Sequence, residues 1–366
     1  MFCMPKPGKP DEPHFVTDFR QRNENTVRDN YLLPNMTHIL NDIARAKYRS
    51  LIDLKDAFFQ IRIHPDDEWK TAFKTPFGMF NSRVMNQGEC NAPSIFMRFI
   101  NFIMQDFLGI FVHIYIDDIC IYSQTKEDHI SHIREVCQRL KEYKLYASPK
   151  KSQFFADRLM ILGHYINNQG IYADPKKIQK IQEWVTPTTQ KSVEHFVATV
   201  NYIAQFMPQV ASHLGPLTNL LGKQKFYWDE QCTQAFNKTK EIAGSIDVLV
   251  PLKYDSDADP IFLFTDASTV SVGGWIDQGP SISTAYPAAY HSRKFNSAQR
   301  NYSTYHQEFF ALVDSLRAFR TQLLGTKFTV VTDHQALKYI FKKPTTALTP
   351  REIRWLDEIS LFNFDI

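Results

Sequence analysis

Apolar residues recur along the chain with two periods, and the switches between them lay out the elements. Over residues 110–123, Ile110, Val112, Ile114 and Ile116 alternate with Phe111, His113 and Tyr115, and Ile119 and Ile121 resume the period of two beyond Asp117 and Asp118. This predicts a hairpin with two adjacent carboxylates at its tip. Residues 50–63 predict an apolar strand that delivers Asp53 at its end and then turns through Asp56 into the pair Phe58 and Phe59. A short strand is expected over 14–20, and a hairpin over 70–86 around Thr75, Pro76, Phe77 and Gly78. Helical spacing begins at Pro93, where Ile95, Phe96, Phe99, Ile100, Phe102 and Ile103 leave a helix apolar almost all round, to be buried under the sheet. Thr125 and Asp128 resemble a capping box ahead of Ile130, Ile133, Val136, Leu140 and Tyr143, and one strand is expected over 159–166. The order is that of an α+β domain with an antiparallel sheet and helices on one face.

From 174 to 243 the pattern is helical, with helices expected at 176–184, 192–207 and 229–243 and breaks at Pro187, Pro208, Pro216 and Gly222. An acidic polar run, 254–260, marks a boundary. Beyond it come strands at 261–266, 272–276 and 288–292, a helix over 305–319 that carries Glu308, and a strand over 327–332 that ends in Asp333. Residues 361–366 begin another strand. Three segments follow: 1–170, 171–255 and 256–366.

Composition narrows the function classes. The 366 residues, 43% hydrophobic and 22% charged, are enough for two or three cores and exclude a disordered or collagen-like chain. A net charge of +3 means that any polyanion-binding surface must be local. Between residues 141 and 180, eight Lys/Arg stand against three Asp/Glu, a local net of +5, which fits a phosphate-facing strip and fits a solvated helix face equally. The five cysteines are scattered and without a Cys-x-x-Cys pair, which argues against a disulfide framework and a zinc knuckle and for a reducing, intracellular compartment, cytoplasmic or nuclear. No apolar run reaches the roughly 18 residues of a membrane span.

Candidate chemistry lies in carboxylates at strand ends. A carboxylate leaving a buried strand must be hydrated, paired or metal-bound, and two like charges at one turn favour a divalent cation, although a plain surface turn has the same residues. Asp53 with Asp117 and Asp118 would be one such set, and Asp266, Glu308 and Asp333 a second. Two three-carboxylate sets without the His/Cys content of zinc sites suit Mg2+ or Mn2+, two ions per site about 3.5–4 Å apart, and in-line phosphoryl chemistry. Phe58 and Phe59 fit a core more readily than a pocket. Arg20, Arg22 and Arg28 fit a solvated loop as well as a phosphate surface.

These residues also carry a resemblance. Asp53 to Phe58 (DLKDAF), Gln87 to Pro93 (QGECNAP), Tyr115 to Asp118 (YIDD) and Ile161 to Gly163 (ILG) stand in the order and spacing of the sequence blocks of reverse transcriptases. Thr265 to Ser268 (TDAS), Asn301 and Tyr302 followed by Glu308, and Thr332 to Leu337 (TDHQAL) resemble the ribonuclease H blocks of the same polyproteins. Essentially the whole chain looks like the reverse transcriptase–ribonuclease H segment of a gypsy-like long-terminal-repeat retrotransposon.

The resemblance implies a right-handed polymerase with fingers and palm in 1–170, a helical thumb and connection in 171–255, and a ribonuclease H-like α/β domain in 256–366. It implies an RNA- and DNA-directed DNA polymerase whose partners are an RNA template, a DNA primer, the RNA–DNA hybrid and dNTPs. Asp53, Asp117 and Asp118 would form the polymerase metal triad, with Asp118 the least direct ligand. Phe58 would exclude a 2′-hydroxyl, Gln87 and Gly88 would line the nucleotide pocket, Tyr115 would lie near the primer end, and Lys150 or Lys151 near the leaving pyrophosphate. Ile161, Leu162, Gly163 and His164 would hold the primer, and Asp266, Glu308 and Asp333 the ions that hydrolyse RNA in the hybrid.

Two departures from the family pattern set further expectations. His14 stands where an arginine four residues before the turn at Asp18, Phe19 and Arg20 would grip the triphosphate, and an imidazole is a poor replacement for a guanidinium fork, with Lys6 or Lys9 as partial substitutes. The chain also begins inside the fingers and stops at Ile366, short of the helix that would bring a fourth ribonuclease H carboxylate. An impaired ribonuclease H is therefore expected, or a catalytically inactive nucleic-acid-binding remnant.

Overall fold

The computed structural model describes residues 2–6, 9–222, 225–342 and 348–366, with the side chains of 2–16 and 341–342 outside the description. His14, Lys6 and Lys9 are among those side chains. The chain folds as two compact units, Met1–Ile161 and Leu162–Ile366.

In the first unit, β1 (Phe2–Lys6) and β2 (Lys9–Val16) form an antiparallel pair, and α1 (Arg20–Glu24) follows. The strand expected over 14–20 therefore ends at Val16. Asp18 accepts from both the backbone N–H and the guanidinium of Arg20, which starts a helical turn in place of more strand. Helix α2 (Met36–Arg45) is capped by Asn35, whose side chain accepts from the N–H groups of Thr37 and His38. It precedes β3 (Tyr48–Asp53), the central element of the unit together with a hairpin further on.

The short hairpin β4 (Phe73–Thr75) and β5 (Gly78–Phe80) turns where Pro76 and Gly78 predict it. Helix α3 (Ala92–Met104) buries Phe96, Met97, Ile100, Ile103 and Met104 but leaves Phe102 60% and Ile95 38% exposed. It is thus amphipathic, not buried all round, because one sheet can cover only one face. The hairpin with the acidic tip is β6 (Val112–Tyr115) and β7 (Asp118–Ser123). Its first strand begins two residues later than the alternation predicts, since residues 107–111 turn through Gly109 at φ 73° and leave Ile110 outside. The sheet order is β3-β7-β6, all antiparallel, with α3 and α4 (Lys126–Glu142) against it and Ile52, Phe96, Ile100, Ile119, Ile121 and Val136 at its core. The unit closes on β8 (Leu159–Ile161).

The second unit starts with β9 (His164–Ile166) and β10 (Ile171–Ala173), which pair antiparallel. The single strand expected over 159–166 is thus two, because Leu162 and Gly163 take left-handed backbone at φ 49° and 65°. Helices α5 (Pro175–Gln182), α6 (Gln190–Tyr202), α7 (Val210–Asn219) and α8 (Glu230–Gly244) follow. Pro216 lies inside α7 and does not break it: burial of Leu214 and Leu217, roughly 3–6 kcal/mol together, offsets a proline cost of about 3 kcal/mol.

The remaining elements are β11 (Ile261–Ala267), β12 (Ser271–Gln278), β13 (Tyr286–Lys294), α9 (Ser297–Arg300), α10 (Thr304–Ala318), α11 (Arg320–Leu323), β14 (Lys327–Val331), α12 (Pro350–Ile359) and β15 (Asn363–Asp365). They form a sheet in the order β13-β12-β11-β14-β15, antiparallel on one side of β11 and parallel on the other. Helix α10 packs on this sheet, with Phe309, Leu312, Val313 and Leu316 against Leu263, Ile276 and Val330. Among the described residues, no helix is long and apolar enough to cross a membrane, and Cys90, Cys120, Cys137 and Cys232 are free thiols.

Candidate active sites

Pairing register brings the first carboxylate set together. Asp53, the last residue of β3, stands opposite Asp118, the first of β7, and Tyr115 pairs with Asp118 across a turn of Ile116 and Asp117. Ile116 takes φ 54°, an uncommon conformation for a β-branched residue, and its N–H lies 3.1 Å from the Met97 sulfur. The Asp117 carbonyl accepts from Leu54 N–H at 2.9 Å, which ties the tip to the end of β3. All three carboxylates lie on the same end of the sheet.

The electrostatics are those of crowded anions. Burial, then the neighbouring charges of Asp117 and Asp53, raise the Asp118 carboxyl to about 6, against a smaller pull downward from Lys151. Lys151 Nζ lies 3.2 Å from Asp53 Oδ2, while Asp53 Oδ1 is buried with no hydrogen-bond partner. A buried carboxylate oxygen without a donor is costly unless a cation meets it, so the set fits a divalent ion held by Asp53, Asp117 and Asp118. Lys150 makes no comparable contact with the set. The 148–153 segment is fixed by Ser148 N–H on Asp53 O, at 2.7 Å, and by the bridge between Gln153 and Leu51, and this register turns Lys151 toward Asp53.

Around this set, Phe58 lies partly buried with its ring edge-on to Phe96 at 5.7 Å, so it belongs to the rim of the core, whereas Phe59 is exposed. Gly88 takes φ 98°, and a Cβ there would meet the Phe19 ring at 3.2 Å. The loop that holds Gln87 and Gly88 is pinned by Asn23, whose amide donates to Gly88 O at 2.9 Å and accepts from Cys90 N–H at 2.9 Å. Asn23 and Phe19 are positioning residues that periodicity gave no reason to single out. Ile161 and His164 are buried. In the second unit, His164 Nδ1 lies 2.7 Å from Leu162 O, and the Tyr202 hydroxyl donates to the same carbonyl at 2.5 Å.

The second set also forms. Asp266 stands near the end of β11, Glu308 on the first turns of α10, and Asp333 two residues past β14, which ends one residue before the expected 332. Burial, then the charges of Asp266 and Asp333, raise the Glu308 carboxyl to about 7, and its Oε2 is buried without a partner. This set fits a cation by the same test. Asp266 Oδ2 accepts from Gln209 Nε2 at 3.1 Å, a contact from the helical stretch to which the sequence assigned no role near the carboxylates. Helix α12, missed by the sequence reading, is signalled by a capping box of Thr349 and Glu352 and buries Trp355 against α10.

Two family models match the chain: reverse transcriptase (RNA-dependent DNA polymerase) over residues 4–166, and the RNase H-like domain found in reverse transcriptase over 256–362. Domains of both kinds are divalent-metal dependent. The Tf2-3 and Tf2-7 transposon polyproteins of Schizosaccharomyces pombe are each 32% identical over 363 residues, 98% of this chain and 27% of theirs. The chain therefore spans about a quarter of these relatives. Among solved structures, the foamy viral protease-reverse transcriptase shares the fold at 23% identity. Its dRH form in complex with double-stranded DNA has a TM-score of 0.84 over 99% of this chain and 64% of that one. Its complex with RNA/DNA hybrid has a TM-score of 0.79 over 99% and 49%. With the polymerase blocks and ribonuclease H blocks both present and both carboxylate sets assembled, the chain belongs to the long-terminal-repeat retrotransposon family of reverse transcriptases, as a segment carrying the polymerase and its ribonuclease H-like domain.

Proposed function

We propose that the chain extends a DNA primer on an RNA template, and on DNA, by divalent-metal-dependent nucleotidyl transfer from dNTPs, and that its second carboxylate set hydrolyses RNA in the resulting hybrid at an impaired rate. The observation that carries this reading is the pairing of Asp53 with Asp118 beside Asp117, with one buried Asp53 oxygen left without a donor. Asp53, Asp117 and Asp118 would hold Mg2+ or Mn2+, two ions, whose charge lowers the cost of the attacking and leaving oxygens. The Phe58 ring would fill the space of a 2′-hydroxyl, Gln87 and Gly88 would line the nucleotide pocket, and Tyr115 would face the primer end.

Lys151, of the two adjacent lysines, is assigned to the leaving pyrophosphate. Its side chain is 68% exposed, free to turn from Asp53 toward a phosphate and neutralise or protonate it. Ile161, Leu162, Gly163 and His164 would hold the primer. In the second site Asp266, Glu308 and Asp333 would hold the cations, whose charge would draw the raised Glu308 carboxyl down into its ionised, ligating form. The expected domains are fingers and palm in 1–170, thumb and connection in 171–255 and ribonuclease H in 256–366. An intracellular site of action, in cytoplasm or nucleus, fits the free thiols.

The test is primer extension on a poly-RNA template with dNTPs and Mg2+. Extension is expected from the wild-type chain and not from Asp117→Ala. Extension that persists in the variant overturns the assignment. Salt-sensitive hybrid binding without incorporation at any Mg2+ concentration establishes the binding remnant instead.

A further inference from the structure

Behind the catalytic hairpin, one group of side chains of a different chemistry converges. His38 and Asp42 lie one turn apart on α2, and His113 faces them from β6. His113 Nε2 is 2.8 Å from Asp42 Oδ2, His38 Nε2 is 3.3 Å from the same oxygen, and the three ligand atoms all lie within 4.8 Å of one another. Among the described residues, no other group of three His, Cys, Asp or Glu side chains closes this far, the two carboxylate sets included. That contrast has a reason: a set serving two ions about 3.5–4 Å apart need not close into one ligand sphere.

We propose that His38, Asp42 and His113 form a binding site for a single first-row transition cation, zinc by its chemistry, separate from both carboxylate sets. Two imidazoles and one carboxylate are the ligands such an ion prefers, whereas Mg2+ takes oxygen. Metal–ligand bonds of about 2.0–2.1 Å place neighbouring ligand atoms about 3–3.4 Å apart. His38 and Asp42 are at that spacing already, and His113 needs to withdraw from Asp42 by a few tenths of an ångström.

The surroundings hold the ligands in place. Arg45 Nη1 takes the other carboxylate oxygen, Asp42 Oδ1, at 3.2 Å, so Oδ2 alone is presented. The Tyr122 ring stacks on His113, with centroids 5.1 Å apart and planes 17° apart, and its hydroxyl lies 3.3 Å from His113 Nε2. A carboxylate oxygen accepts two hydrogen bonds, so without an ion both imidazoles can stand as donors on Oδ2, and with an ion the same three atoms turn to it as ligands. Such an ion would join α2 to the strand that leads into Asp117 and Asp118, a structural role in the palm.

The experiment is a Zn2+ titration of the purified chain by calorimetry with Mg2+ in large excess to occupy the carboxylate sets, paired with Co2+ absorption in the visible. One ion per chain is expected, with an intense Co2+ band of the kind given by mixed nitrogen and oxygen ligands of low coordination number. His38→Ala, at a side chain 60% exposed and so harmless to folding, is expected to weaken Zn2+ by about tenfold or more, and His113→Gln likewise. Asp117→Asn is expected to leave the affinity unchanged. No Zn2+ uptake, or uptake by His38→Ala within about threefold of the wild type, overturns the proposal.

Discussion

At the scale of single residues, the first carboxylate set carries a stability cost that the Asp118 carboxyl makes measurable. The Asp118 carboxyl stands at about 6 in the folded chain against an ordinary 3.8, so the folded state keeps a proton that the unfolded chain releases. The stability held at low pH is therefore lost as pH rises through about 6. Asp118→Asn removes the charge, and its advantage over the wild type is expected to be smallest near pH 4 and to level off above about pH 6, at roughly 1–2 kcal/mol after allowance for partial exposure. Thermal melts in chelator across that range check the sign, and an advantage that shrinks with rising pH would refute it. The carboxylates themselves were legible in the sequence, because each sits where an apolar strand run stops. The choice of Lys151 over Lys150 was not, since it depends on how Gln153 pairs with Leu51, about a hundred residues away in the chain.

At the scale of elements, α2 shows what periodicity leaves out. It is only ten residues long, and its end is held by a charge from the next strand: Arg49, 1% exposed, donates from Nε to Ile43 O at 2.8 Å and from Nη2 to Ala44 O at 3.0 Å and to Ala46 O. A guanidinium on the last carbonyls of a helix also meets the negative end of its dipole. Arg49→Met keeps most of the volume but leaves these carbonyls without a donor, and is expected to cost roughly 2–4 kcal/mol in urea unfolding. An unchanged midpoint would show that water replaces the guanidinium. Short helices of this kind, whose apolar stripe (Ile39, Leu40, Ile43 and Ala44 in α2) runs for less than two turns, escape a reading by period. So do α7, where Pro216 signals a stop that packing overrides, and α12, itself only ten residues long. The acidic hairpin and β3 were read to within two residues because apolar runs lead straight into Asp53 and the Asp117–Asp118 turn.

At the scale of the whole molecule, the two carboxylate sets belong to different compact units, Asp53, Asp117 and Asp118 to the first and Asp266, Glu308 and Asp333 to the second. No residue is common to both sets, and substitutions at sites without shared partners act independently. Under the proposed function, Asp117→Ala is therefore expected to abolish primer extension while leaving cleavage of the RNA strand of a hybrid at the wild-type rate. Glu308→Gln is expected to do the reverse, reducing cleavage by at least about a hundredfold through loss of a charged cation ligand. Hybrid binding should fall with salt along one common slope in wild type and both variants, because phosphate contacts come from basic side chains such as those between residues 141 and 180, which neither change touches. Paired assays on one labelled hybrid measure all three quantities. If Asp117→Ala also slowed cleavage with the salt slope unchanged, a single set of ions would be serving both reactions, and the division into two active sites would fail.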